Sequence, residues 1–212
     1  MLSAVYSANP RMRDLIKHAR DCTSTLLIDP KTAHFQFEGY MSMPDYRALP
    51  YSPGNQTLGT LWQPARFTRA EERGALIDSV LTVQRELDAD ILLAPYFYVP
   101  HFEHPWLETS RLFATEAIGA SRNQPVGVQV VVDIDALIDP DHRANIAAVY
   151  ASLEAALFWV TIINYDEHRA DPRDTDTVLK FVSTLVATGV PVVLSHVGRT
   201  GLLAIAAGAA GY

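Results

Sequence analysis

Short apolar runs alternate with amphipathic segments along most of the chain. Several runs are almost continuous in Val, Ile and Leu, a pattern typical of parallel strands that are buried on both faces. Strand starts are predicted near residues 25, 90, 126, 157, 191 and 209. Through the middle of the chain these starts are roughly 30–35 residues apart, which is the length of one strand–helix unit.

Helices are predicted between the apolar runs, near residues 10–20, 68–87, 105–122, 140–155, 172–189 and 201–207. Asp139 and Asp171 each precede a proline, so each is expected to cap a helix whose first turn holds the proline. Thr68 and Glu71 match a capping box, in which the Thr side chain caps the helix and the Glu side chain reaches back.

This rhythm predicts an α/β fold in which parallel strands alternate with helices in a single domain, residues 1–212. We expect a partial (β/α)8 TIM-type barrel truncated near the sixth strand, because a closed barrel needs eight strands and typically about 250 residues. The alternative is an open doubly wound sheet. Segment 31–67 is predicted to be a long irregular loop, packed through its many aromatic residues and covering the mouth of the barrel.

Composition narrows the class of protein. The chain has 212 residues, nearly half of them hydrophobic, and a net charge of −7. The acidic balance makes nucleic acid an unexpected partner. No apolar run reaches the about 20 residues that a membrane-spanning helix needs. The single cysteine, Cys22, fits a reducing compartment, so a cytoplasmic location is expected; its thiol is read as a small structural residue, with a nucleophile as the alternative.

Ionisable and amide side chains follow nearly every predicted strand. Because active sites of parallel α/β folds lie at the carboxyl ends of the strands, these residues are the candidates for chemistry. His196, Asp29 and Asp133 are the predicted catalytic residues, as acid–base groups or substrate contacts. The predicted substrate-binding residues are Asn164, Tyr96 and Tyr98, the two tyrosines either packing in the core or forming a stacking wall for a planar ring.

No metal site is predicted. His101 and His104 are three residues apart, whereas a helical zinc site has two histidines four residues apart with a glutamate beside the first. A mixed site from Asp29, Asp133, Asp166 and His196 is the alternative.

Residues 190–212 carry a resemblance to a known family. The strand Val190–Ser195, the turn through Gly198, the helix after it and the small residues 206–211 are similar to a late segment of phosphate- or flavin-binding (β/α)-barrels. The resemblance implies that the turn amides and the helix N-terminus hold a phosphate, at Gly198, Arg199, Thr200 and Gly201. It does not specify a cofactor.

Three functions remain open. The first is a barrel-type enzyme that acts by acid–base chemistry on a small polar molecule, phosphorylated or nucleoside-like. The second is a non-catalytic α/β module that binds a partner through its aromatic loop. The third is a nucleic-acid-modifying barrel enzyme. A homo-oligomer, in which a second copy covers an exposed sheet edge, is a further expectation.

Overall fold

The computed structural model describes residues 1–5, 10–22, 25–53 and 61–212. In chain order its elements are β1 (Leu2–Ser3), α1 (Pro10–Cys22), β2 (Ile28–Asp29), a 3-10 helix (Thr32–Gln36), α2 (Glu38–Met41), α3 (Pro44–Arg47), a second 3-10 helix (Pro64–Thr68), α4 (Ala70–Glu86), β3 (Leu92–Leu93), β4 (Tyr98–Val99), α5 (Trp106–Ala120), β5 (Val126–Asp133), α6 (Asp135–Ile138), α7 (Pro140–Ala151), β6 (Leu157–Ile163), α8 (Pro172–Val186), β7 (Val192–Ser195) and α9 (Arg199–Ala206).

The strand pairs are parallel and helices separate them along the chain, so the predicted α/β class is confirmed. Within the described ranges the strands do not close into a barrel, and the barrel itself therefore stays a prediction. None of the described helices combines the length and apolar character that crossing a bilayer requires.

The chain forms two compact units. Unit 1 contains Met1–Phe97 and Leu112–Val126, and unit 2 contains Tyr98–Arg111 and Gly127–Tyr212. The single-domain organisation stays a prediction.

Unit 1 is built around aromatic rings. β1 and β2 pair in parallel, and Leu27 bridges to Ile91 just before β3. Rings from segment 31–67 and from the later part of the unit then contact one another at centroid distances of 4.7 to 5.5 Å: Phe35–Trp62, Trp62–Phe67, Phe67–Phe113 and Phe97–Phe113. All five rings are at most 3% exposed. Phe35, Trp62 and Phe67 therefore anchor segment 31–67 in a core, and its described parts include short helices. Residues 54–60 lie outside the described chain.

Unit 2 is a parallel sheet in the order β4-β5-β6-β7. β5 and β6 begin and end where the apolar runs predict. All eight residues of β5 are buried, as expected for a strand with cover on both faces. Helix α8 packs against β6 and β7 and buries the apolar side chains Val178, Phe181, Val182 and Leu185.

The two faces of the unit 2 sheet differ in chemistry. Successive strand side chains point to opposite faces, and paired residues share a face. One face carries only apolar side chains: Val128, Val130, Val132, Phe158, Val160, Ile162, Val192 and Leu194. The opposite face carries polar ones among its apolar residues: Tyr98, Gln129, Asp133, Thr161 and Ser195. Candidate chemistry in unit 2 is thus confined to one face of the sheet.

Two of the three helix caps predicted from local sequence are confirmed and one is wrong. Asp139 accepts from the amides of Asp141 and His142, and Asp171 forms a capping box, so both predicted caps are confirmed. The capping box at Thr68 is wrong. Its hydroxyl bonds to the carbonyl of Ala65 inside a 3-10 helix, and α4 begins after Arg69 without a side-chain cap.

Two strand predictions need correction. The strand predicted from residue 90 through Tyr98 is two short strands, β3 and β4, and residues 94–97 between them belong to no strand. The strand start near residue 209 amounts to a single bridge between Gly211 and Val193. The pattern also missed β1, which is only two residues long.

Candidate functional site

The carboxylate of Asp133, at the end of β5, is the centre of a hydrogen-bonded cluster in unit 2. Its Oδ2 accepts from the Tyr98 hydroxyl at 2.6 Å and from Asn164 Nδ2 at 2.7 Å. Its Oδ1 accepts from the backbone amide of Asp135 at 3.0 Å. Asp133 is only 4% exposed. We call Asp133, Tyr98 and Asn164 the Asp133 cluster.

Strand register explains why these three residues meet. Tyr98 pairs with Val131, two residues before Asp133, so its side chain lies on the same face of the sheet. Asn164 directly follows Ile163, which is the register partner of Asp133. At this position the chain turns through a left-handed conformation, with φ 60° at Asn164.

The Asp133 cluster contains a charge without a cation. No ion pair to Asp133 forms within the described ranges of the chain. Burial, then the hydrogen bond to Asp133 and the charges of Asp133 and Asp135, raise the pKa of Tyr98. The phenol therefore stays protonated and serves as a neutral donor. A buried carboxylate held only by neutral donors can still attract a donor or cation from a ligand.

The cluster reaches solvent through Asn164, which is exposed. Since its Nδ2 donates to Asp133, its carbonyl oxygen is directed away from the carboxylate. His196 follows β7, two strands from β5, and is also exposed. It too is left-handed, with φ 59°, and its side chain makes no hydrogen bond or ion pair to any part of the chain that the structure describes.

The turn predicted to hold a phosphate bonds to a carboxylate of the chain itself. Glu167 Oε2 accepts from the amides of Gly198 at 2.9 Å and Thr200 at 3.1 Å, at the start of α9. Arg199 is exposed there, and the ring of Tyr212 lies against Gly201. Phosphate binding by these residues stays a prediction.

Asp29, at the end of β2, is the centre of a second cluster, in unit 1. Its Oδ1 accepts from the Tyr96 hydroxyl at 2.8 Å and from the Lys31 amide at 2.9 Å. Lys31 Nζ lies 2.8 Å from Oδ2. Asp29 is 1% exposed and Tyr96 is 3% exposed, so this cluster is closed. We call Asp29, Lys31 and Tyr96 the Asp29 cluster.

The surroundings of the Asp29 cluster are aromatic and dry. Burial, followed by the charge of Asp29, raises the pKa of both Tyr96 and Tyr51. The pKa of His34 falls to about 4, chiefly through burial and then through the charge of Lys31. The ring of His34 packs edge-on against Tyr40, with centroids 4.3 Å apart. His34 is therefore neutral at physiological pH.

The structure thus brings Asp133 together with Tyr98 and Asn164, and Asp29 together with Tyr96. Sequence reasoning missed Lys31, and it placed Glu167 after a strand without its partners at the turn of Gly198 and Thr200. Lys31 stands two residues after Asp29, so the local turn could have suggested it. Glu167 is 31 residues from Gly198, and no local signal links the two.

Other candidates have ordinary partners. Ser195 Oγ lies 2.6 Å from Thr161 Oγ1 and 3.1 Å from the Val160 carbonyl, so it is a buried structural hydroxyl. His104 Nδ1 accepts from the amide of Trp106, at the start of α5. Among the described residues no group of three or more His, Cys, Asp or Glu side chains could hold a metal ion.

A cleft of about 730 Å³ lies in unit 1, lined in part by Tyr51, Trp62, Arg66 and Phe67. None of the predicted site residues is in its described lining.

Comparisons with known proteins do not identify the chain. No protein-family model matches it, no curated protein is similar to it, and no solved structure matches its fold. Function must therefore be argued from the two clusters.

Proposed function

We propose that the chain is an enzyme domain that binds a small polar molecule at the Asp133 cluster and acts on it by acid–base chemistry. We also propose that its parallel strands belong to a (β/α)-barrel. The proposal depends above all on the Asp133 carboxylate, which is 4% exposed, accepts hydrogen bonds from two neighbouring elements and is paired with no cation in the described ranges of the chain.

Desolvating such a charge is costly, and neutral donors offset only part of that cost. A ligand group with several donors, such as a hydroxyl pair or an amine, would complete the set of hydrogen bonds. Asp133 would orient this group, and Tyr98 would remain a protonated donor beside it.

Asn164 and His196 would contact the rest of the ligand. Neighbouring strands are about 4.8 Å apart, so the ends of β5 and β7 are separated by roughly 10 Å, the length of a small metabolite. His196 is exposed, and histidine is the residue that most often serves as a general acid or base, which makes it the proposed acid–base residue.

Backbone conformation supports the same two residues. A left-handed conformation costs a non-glycine residue on the order of 1 kcal/mol and tends to persist at functional sites. Asn164 and His196 both adopt it, each directly after one of two adjacent strands of the same sheet.

The test begins with a ligand screen by thermal shift, using sugars, sugar phosphates, nucleosides and polyamines. Hits are then tested for turnover in wild type, His196→Ala and Asp133→Asn. We expect His196→Ala to keep its melting temperature and lose turnover by about 10²-fold or more, the typical contribution of a general acid or base. Asp133→Asn should lose binding.

Asp135→Asn is the matched control, because Asp135 is an exposed carboxylate two residues away whose side chain does not hold the cluster. It should bind and turn over like wild type. Unchanged turnover in His196→Ala, or equal losses in Asp133→Asn and Asp135→Asn, would remove the proposal.

The alternative proposal is a partner-binding module that uses the aromatic loop. It is favoured by the exposure of Phe37 and Met43, at 44% and 45%, within segment 31–67. It is weakened by the burial of Phe35, Trp62 and Phe67 in the core of unit 1. A screen that yields no small ligand, with a partner bound by wild type and lost in Phe37→Ser, would support it.

The remaining expectations stay predictions: a nucleic-acid-modifying activity, a cytoplasmic location and a homo-oligomer. The homo-oligomer can be tested by sedimentation, since α9 exposes the apolar side chains Leu202, Leu203 and Ile205.

A further inference from the structure

The loop after β6 is tied to the turn after β7 by one side chain. Glu167, only 15% exposed at its side chain, places Oε2 at 2.9 Å from the Gly198 amide and 3.1 Å from the Thr200 amide. These amides lie at the first turn of α9, directly after the segment that carries His196.

A second contact joins the same two segments. The hydroxyl of Tyr165 lies 2.7 Å from Thr200 Oγ1 and 3.0 Å from Thr175 Oγ1. Because Asn164 precedes Tyr165 in the chain, both exposed residues of the proposed site stand on segments that Tyr165 and Glu167 fix to each other.

Gly198 is adapted to this approach. A Cβ atom built there would collide with Glu167 Oε1. The clashing atom is the end of a flexible side chain, so a larger residue at position 198 would push Glu167 away from the turn. The sequence therefore permits a carboxylate to lie directly on the turn.

The contact also decides what the turn can bind. Amides at a helix N-terminus attract anions, and a phosphate would need the donors that Glu167 now uses. The amides of Thr200, Gly198 and Arg199 lower the pKa of Glu167, which keeps this side chain charged at neutral pH. An incoming anion would meet occupied donors and a like charge.

We infer that Glu167 is a positioning and specificity-determining residue: it fixes the turn that carries His196 and makes the site select uncharged or cationic polar ligands over phosphorylated ones. The part concerning His196 as a site residue rests on the proposed function. Asp133, a carboxylate with no cationic partner in the part of the chain that the structure describes, favours the same class of ligand from the other side of the site.

The test uses amide and imidazole NMR signals of the full chain, titrated with inorganic phosphate alone. In wild type we expect phosphate to leave the Gly198 and Thr200 amide signals in place. In Glu167→Ala the same signals should move on titration, with phosphate affinity raised on the order of tenfold, since a like charge is removed and donors at a helix N-terminus are released.

Positioning is tested without any ligand. Glu167→Gln keeps the shape of the side chain but loses its charge, so the Gly198 and Thr200 amide signals and the His196 imidazole signals should shift. Glu154→Gln is the matched control: Glu154 is exposed just before β6, at the opposite end of that strand, and its substitution should leave all three residues unchanged. If Glu167→Ala does not fold, Gly198→Ala is the second variant. Its Cβ atom should push the Glu167 carboxylate away from the turn, so the same amide and imidazole signals should shift.

Phosphate shifts at the Gly198 and Thr200 amides of wild type would overturn the inference about specificity. Unchanged His196 signals in Glu167→Gln and in Gly198→Ala would overturn the inference about positioning. Neither readout depends on turnover, so a failure of the proposed enzyme function would be recognised separately, by an inactive wild type with the expected NMR shifts.

Discussion

The Asp29 and Asp133 clusters use the same elements in different ways. Each is a buried carboxylate at the end of a parallel strand, and each accepts from a tyrosine hydroxyl, at 2.8 and 2.6 Å. Asp29 is neutralised by Lys31 and enclosed by buried tyrosines. Among the described residues Asp133 has only neutral donors, and its donor Asn164 is exposed. A buried carboxylate that is paired with a cation in a closed site points to a structural role, whereas one that is held by neutral donors beside solvent leaves room for a ligand.

The largest difference is expected when each carboxylate is removed. Asp29→Ala leaves Lys31 and the buried Tyr96 hydroxyl without a partner, and should lower the free energy of unfolding by about 3 kcal/mol. Asp133→Ala should cost about 1 kcal/mol, because Tyr98 and Asn164 can turn to water. Urea denaturation followed by tryptophan fluorescence measures both. Equal losses would show that the Asp133 cluster is as structural as the Asp29 cluster.

The tyrosines give a matched comparison with a smaller effect. Tyr96→Phe removes a donor from a site that is 3% exposed and should cost about 1.5 kcal/mol. Tyr98→Phe removes a donor from a half-buried site, where water can replace it, and should cost less than about 0.5 kcal/mol. It should nevertheless weaken ligand binding, which Tyr96→Phe should leave unchanged. A larger stability loss in Tyr98→Phe would contradict the distinction between a closed and an open cluster.

The bounds of the long strands could be predicted from local sequence, whereas the contacts within the two clusters could not. The bounds of β5 and β6 follow from continuous apolar runs, since a strand buried on both faces has a local signature. Thr68 shows the limit of local signals: its spacing to Glu71 is right, but packing places it in a 3-10 helix. The two short strands at Leu92 and Tyr98 are two residues long each, which is too short to have a recognisable sequence pattern.

The sequence predicted which residues lie at the ends of the strands, but it did not predict which side chains they contact. The rule that sites lie at strand ends selected Asp29, Asp133 and Asn164. It could not say that Asp29 would meet a lysine and Asp133 none, because tyrosine donors arrive from 67 and 35 residues away. The contacts of Glu167 could not be predicted either, because its partners are backbone amides, which every residue except proline carries.

The pH dependence of stability tests how dry the surroundings of the Asp29 cluster are. The pKa of His34 is about 4 when folded, against an ordinary 6.5, so the unfolded chain binds more protons between these values. This contribution to stability is fully present above about pH 6.5 and falls as the pH drops toward 4.

His34→Gln should therefore flatten the decline in melting temperature between pH 6.5 and 4. His168→Gln, which replaces a histidine side chain that is 78% exposed in unit 2, should retain the decline. The same decline in all three proteins would show that His34 is hydrated when folded.

The smallest expected change in the free energy of unfolding concerns the left-handed backbone of His196. A glycine at φ 59° avoids the steric cost of a left-handed side chain, so His196→Gly should stabilise the fold by about 0.5 kcal/mol. Arg122→Gly, at φ 55° in unit 1, is the matched control and should stabilise by a similar amount. Only His196→Gly should abolish turnover, because it removes the imidazole that is proposed as the acid–base group. A destabilised His196→Gly beside a stabilised Arg122→Gly would instead show that the imidazole holds the turn together.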